Sequence, residues 1–202
     1  MKFQTLLTLL GFIILVSSCA VPKYTHVYDS SKYLDLRFGG WLVNYAAGNT
    51  PDYIKRDVEA KVIQEFKEMG VDTIFSLREL VLDYITPDHF SNNLSQETLN
   101  LLHQTTEFSY VLSIETIRLK DELSGLMISP PEQESQSISE VVFKVYDIES
   151  KQIIYNHRII GKVTMDAEYP DYTIAKSANG LVNGAVKQGL KKIKKYSLKK
   201  SN

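Results

Sequence analysis

Val141-Val-Phe-Lys-Val-Tyr-Asp-Ile-Glu-Ser-Lys-Gln-Ile-Ile-Tyr-Asn-His-Arg-Ile159 is the stretch that decides the fold. Two β-branched and aromatic runs flank Glu149-Ser150-Lys151, a connection short enough for a hairpin. The spacing predicts strands over Ile138–Ile148 and Gln152–Met165. A third strand is expected over Ser109–Lys120. There Val111, Ile117 and Leu119 fall on one face, and Tyr110, Leu112 and Ile114 on the other.

Helices lie on either side of this strand-rich centre. Ala178, Leu181, Val182, Ala185, Val186, Gly189, Leu190 and Ile193 give Tyr172–Tyr196 a broad apolar face, with small residues for close packing on a sheet. Upstream, Ile54, Val58, Val62, Phe66 and Met69 recur every three to four residues, after the helix-start sequence Asn49-Thr50-Pro51-Asp52 and before Gly70. Ser95 caps a shorter helix through Leu99 and Leu102. Leu34, Leu36 and Phe38, then Trp41, Val43 and Tyr45, alternate as one strand bent at Gly39-Gly40. Val71–Leu77 supplies another strand.

The expected order is β-α-β-α-β-β-β-α. This is an α/β (α+β) fold, a single layered domain with a mixed sheet of about five strands covered by three helices. Its expected extent is 34–196, with a basic tail at 197–202.

The N-terminus has a different character. Met1-Lys2 is followed by an apolar run, Leu6–Val16, broken only by Thr8 and Gly11. Eleven helical residues cover about 16 Å, against a bilayer core of about 30 Å. The form is that of a secretory signal peptide rather than a spanning helix. Ser17-Ser18-Cys19 closes it with the sole cysteine of the chain. That ending resembles the bacterial lipobox. The resemblance implies cleavage of residues 1–18 and acylation of Cys19, palmitate included. Several acyl chains hold a protein to a membrane where one would do so only marginally. The absence of Asp after Cys19 implies, by analogy, the outer membrane. Residues 19–33 are expected to be the lipidated cysteine and a tether, polar and containing Pro22.

After removal of residues 1–18, 184 residues remain, enough for one domain with a real core. Charge is uneven. From Tyr172 onward there are eight lysines and no acid, whereas residues 19–171 hold 24 acids and 14 bases. The near-neutral total of −1 gives no bulk attraction to nucleic acid.

Strand, helix, "GVDTIFSLREL" (Gly70–Leu80), capped helix, "FSYVLSIETI" (Phe108–Ile117), hairpin and Ala-rich terminal helix together resemble an envelope domain. It is shared by the TolB amino-terminal domain, the curli secretion lipoprotein CsgG and the synthase activator LpoB. The likeness covers roughly Tyr33 to Lys195 and implies a periplasmic binding module without catalysis. Relatives act as activators or as subunits of secretion rings. The tether here is too short for an activator's long arm, and no spare pair of long strands matches a ring's membrane hairpins. A non-catalytic adaptor or assembly factor is therefore expected, with a ring-shaped export complex, and so a homo-oligomer, as the alternative. Native mass separates the two.

Chemistry is sparse. His26, His89, His103 and His157 form no paired-histidine zinc motif. His103 and Glu107 lie four apart on a helix, but two ligands are too few for a structural metal. There is no Gly-x-Ser-x-Gly nucleophile turn, and Gly39-Gly40 lacks the Lys-Ser or Lys-Thr of a phosphate loop. No catalytic residue, cofactor or metal site is expected. Two surfaces are candidates for contact. Lys187, Lys191, Lys192, Lys194 and Lys195, continued by Lys199 and Lys200, either meet an anionic surface or partner, or form a solvated helix face. Leu123, Leu126, Met127 and Ile128, inside the loop Asp121–Ser137, either bind a partner protein or fold back on the sheet.

Overall fold

A computed structural model describes residues 20–80, 93–123, 125–127, 131–166, 168 and 173–197. Cys19 and Ile128 lie outside the described residues, as do His89, Lys199 and Lys200. Nine strands and three helices are described: β1 (Lys23–Tyr28), β2 (Gly40–Val43), β3 (Ala47–Gly48), α1 (Asp52–Glu68), β4 (Ile74–Ser76), α2 (Gln96–Thr105), β5 (Phe108–Asp121), β6 (Gly125–Met127), β7 (Ser135–Asp147), β8 (Gln152–Met165), β9 (Thr173–Ala175) and α3 (Ala178–Ser197).

The hairpin is the centre of the sheet. β7 and β8 pair antiparallel from Ser135↔Met165 to Asp147↔Gln152, with a bulge between Val145 and Tyr146. At the turn, Asp147 accepts from the Ser150 N–H at 2.7 Å, and Lys151 takes φ 57°, closing the connection. The seven-stranded mixed sheet runs β1-β8-β7-β5-β2-β4, with β3 beside β5. β2 is parallel to both β4 and β5, and the rest of the path is antiparallel. From β2 the chain winds outward to β4 through α1, then returns across β2 to β5 through α2. Crossovers of one hand that reverse direction put their helices on opposite faces. Accordingly, α1 and α3 cover one face and α2 the other.

Strand alternation divides the core between these faces. Trp41, Val43, Leu112, Ile114, Phe143, Val145, Tyr155 and Ile159 meet the α1 stripe of Ile54, Val58, Val62 and Phe66 and the α3 stripe from Val182 to Ile193. Leu42, Val111, Tyr146 and Ile148 meet Leu99 and Leu102 of α2. A third cluster at one end joins Ala20, Leu123, Val163, Met165, Ala175 and Leu181.

The layered α/β architecture is the expected one, with four departures. Residues 20–33 are not a free tether. Tyr24, His26 and Tyr28 turn inward, and β1 pairs with β8 from Lys23↔Lys162 to Tyr28↔His157. Leu34 and Leu36 are buried but outside any strand, because Gly39, at φ 78°, turns the chain before β2 begins. The last helix starts at Ala178, since Thr173–Ala175 pairs with Gly125–Met127 as a second, two-stranded sheet. Finally, the side chains expected to cap α1 serve elsewhere. Asn49 bonds the Arg118 backbone, Thr50 bonds Thr116, and Pro51 stands at the cap without a side-chain bond. Gly48, at φ 104° against the Thr116 carbonyl, lets β3 approach β5.

Candidate functional site: helix α3 and the first strand

β1 and α3 run in the same direction over one edge of the sheet. Leu181 packs beside Ala20, Gly184 faces Tyr24, and Tyr196 lies edge-on to Tyr33 at 5.7 Å. Gly189 sits over Phe143 and Ile159, where a Cβ would come within 2.5 Å of the Phe143 ring. The glycines draw the helix close enough to bury its apolar stripe completely.

Beneath this crossing lies a polar network that spacing along the sequence does not reveal. His26 Nδ1 and His157 Nε2 are 3.0 Å apart, and His157 Nδ1 is 3.0 Å from the Tyr155 hydroxyl. Tyr28 stacks flat on the His157 ring, 4.1 Å between centroids. The chain of bonds works with neutral rings in either direction. Tyr155 can donate to His157 and His157 to His26, or the reverse. Burial, with the nearby His26 and Lys192 charges, pushes His157 down to about 3. His26 is lowered by burial and by Lys192. Tyr28 is pushed up to about 12, chiefly by burial, and Tyr155 is raised for the same reason. His26 and His157 are 131 residues apart, and only the pairing of β1 with β8 brings them together.

A second polar group joins α1 to the end of β4. Glu59 is buried and receives the Arg78 guanidinium at 2.6 and 3.1 Å and the Ala46 N–H at 2.7 Å. Arg78 also lies over the Tyr45 ring at 4.6 Å. Together these contacts tie α1 to the β2–β3 connection and to the end of β4.

The expected contact residues separate. Lys187, Lys191, Lys194 and Lys195 are exposed along α3, while Lys192 is half-buried on the side of the two histidines. Leu123 is fully buried in the end cluster, so at this position the loop folds back on the sheet. Leu126 and Met127 lie in β6, opposite Ile174 and Thr173. His103 ends up in α2, but that helix stops at Thr105, so Glu107 is not on it. Both residues line a cleft of about 300 Å³ together with Tyr110, Asp147 and Glu149. Among the described residues, no group of three His, Cys, Asp or Glu is placed to hold a metal ion. No described helix is long and apolar enough to cross a membrane.

No known family model matches the sequence, and no curated protein does. Solved structures resemble this chain at low identity. The PelC dodecamer protein from Paraburkholderia phytofirmans is 11% identical, with TM-score 0.48, over 86% of this chain and 98% of that one. The lipoprotein GNA1162 from Neisseria meningitidis is 14% identical, with TM-score 0.41, over 62% of this chain and 83% of that one. At such identities and TM-scores, these likenesses fix neither a family nor a function.

Proposed function

We propose that the chain is a bacterial envelope lipoprotein, held to the membrane through acylated Cys19, with a folded body that works by binding rather than by catalysis. One observation carries the proposal. The only cysteine closes a short apolar run after a cationic start, where signal cleavage and acylation both require it. Support for a binding role comes from how the polar side chains are used. Half-buried His26 is bonded to buried His157, His157 is bonded to Tyr155, and Glu59 is occupied by Arg78 and Ala46. The resemblance of the element pattern to the TolB, CsgG and LpoB domains supports an adaptor or assembly role at the outer membrane, facing the periplasm.

The test is metabolic labelling of the protein in its native host with radioactive palmitate. Label enters the wild-type chain and not Cys19→Ser, and the variant leaves the membrane fraction. An unlabelled wild-type chain, or a variant that stays with the membrane, refutes the proposal.

A further inference from the structure

The first described residue is already part of the folded body. The Ala20 N–H donates to the Ile174 carbonyl at 3.1 Å, and its side chain is buried against Leu123, Val163, Met165, Ala175 and Leu181. Residue 19 is one peptide unit away, about 3.8 Å between Cα atoms. Acyl chains on Cys19 would therefore bring this end of the body to the headgroups without slack. Two large apolar side chains stand exposed there: Val21 at 76% and Ile174 at 54%. Val21 also lines a groove with Lys23, Lys162 and Thr164, next to the point where Lys23 and Lys162 face each other across β1 and β8.

We infer that this edge, with Val21 and Ile174 at its centre, is the surface that lies against the lipid, and that α3 leads away from it. The inference rests on the anchor proposed above. α3 begins beside Ala20 and ends beyond the histidine pair. From Leu181 to Lys195 its rise is about 21 Å at 1.5 Å per residue. The screening length at physiological salt is about 8 Å. The lysines of the last turns thus face away from the bilayer that holds the anchor.

The contact is apolar rather than coulombic. Lys23, Lys162 and exposed Lys176 share this end of the body with exposed Glu168 and half-buried Asp166, which follow β8. Nearby, Asp121 accepts from the Ala178 N–H at the start of α3, and Glu122 pairs with Lys120 at 2.8 Å. Binding by this edge needs no anionic lipid, whereas binding by the lysine face would.

Because Cys19 is the sole cysteine, an acylated chain offers no free thiol, and one introduced cysteine can be labelled alone. The lipidated full chain, carrying an environment-sensitive fluorophore at Ile174→Cys or at Lys194→Cys, is reconstituted into phosphatidylcholine vesicles. The expected result is a blue shift at 174 with quenching by nitroxide lipids, and unchanged iodide quenching at 194. Should Ile174→Cys fail to fold, Lys162→Cys probes the same edge.

Vesicle-bound protein whose 174 label stays open to iodide overturns the inference and leaves the anchor standing. So does a shielded 194 label, or a blue shift that needs anionic lipid. Protein that is never acylated overturns the anchor and, with it, this inference.

Discussion

At the scale of the residue, burial sets the charge state of His157. Its pKa lies at about 3 in the folded chain, against an ordinary value of 6.5, because burial disfavours the imidazolium and His26 and Lys192 oppose a further charge. Above pH 6.5 both folded and unfolded states carry the ring neutral. As pH falls below 6.5, the unfolded chain takes up a proton that the folded chain refuses, so stability is lost progressively toward pH 3. Denaturant midpoints at pH 7 and pH 4 should differ accordingly, and His157→Phe should reduce the difference while lowering the midpoint at pH 7. Equal midpoints in the wild-type chain would contradict this. Glu59 makes the second case. Arg78→Ala leaves a buried carboxylate that still accepts from the Ala46 N–H but has lost its counter-charge. The loss should be about 1–3 kcal/mol, since Arg78 itself is partly solvated. Arg78→Lys should recover only part, because an ammonium cannot make the forked contact.

At the scale of the element, close packing of α3 on the sheet makes the sharpest demand. Gly189→Ala gains helix propensity of up to about 1 kcal/mol, but the added Cβ must displace a fully buried Phe143. Overpacking should win, with a net loss of about 1–2 kcal/mol in chemical denaturation. Such demands also explain which elements were legible in the sequence. β7, β8 and most of β5 are long and alternate regularly, and α1 and α3 carry full apolar stripes, so their periodicity stands out. β6 and β9 are three residues each, too short for any period to register. β1 escaped for a chemical reason. Its inward residues are Tyr24, His26 and Tyr28, which look polar until His157 and Tyr155 supply partners from β8. The histidine pair was hidden in the same way. Each ring is unremarkable alone, and only the strand register joins them.

At the scale of the whole molecule, the correction to β1 changes how the body would be carried. Residues 20–33, taken as a tether, allow about 46 Å of reach at full extension. As an edge strand fixed from Ala20 onward they allow almost none. A lipid-anchored body of this kind rides directly on its membrane, and its orientation follows from the fold rather than from a linker. In the orientation inferred above, the acidic body and the lysine-bearing α3 would present different chemistry at different heights above the bilayer. Everything at this scale depends on the processing of the N-terminus. The most direct measurement is the intact mass of the mature protein extracted from native envelopes. The account predicts a chain lacking residues 1–18 and heavier than its remaining sequence by a diacylglyceryl group and an amide-linked acyl chain, all on the peptide beginning at Cys19. A mature protein that retains Met1–Ser18, or one that begins at another residue with an unmodified thiol, would contradict it.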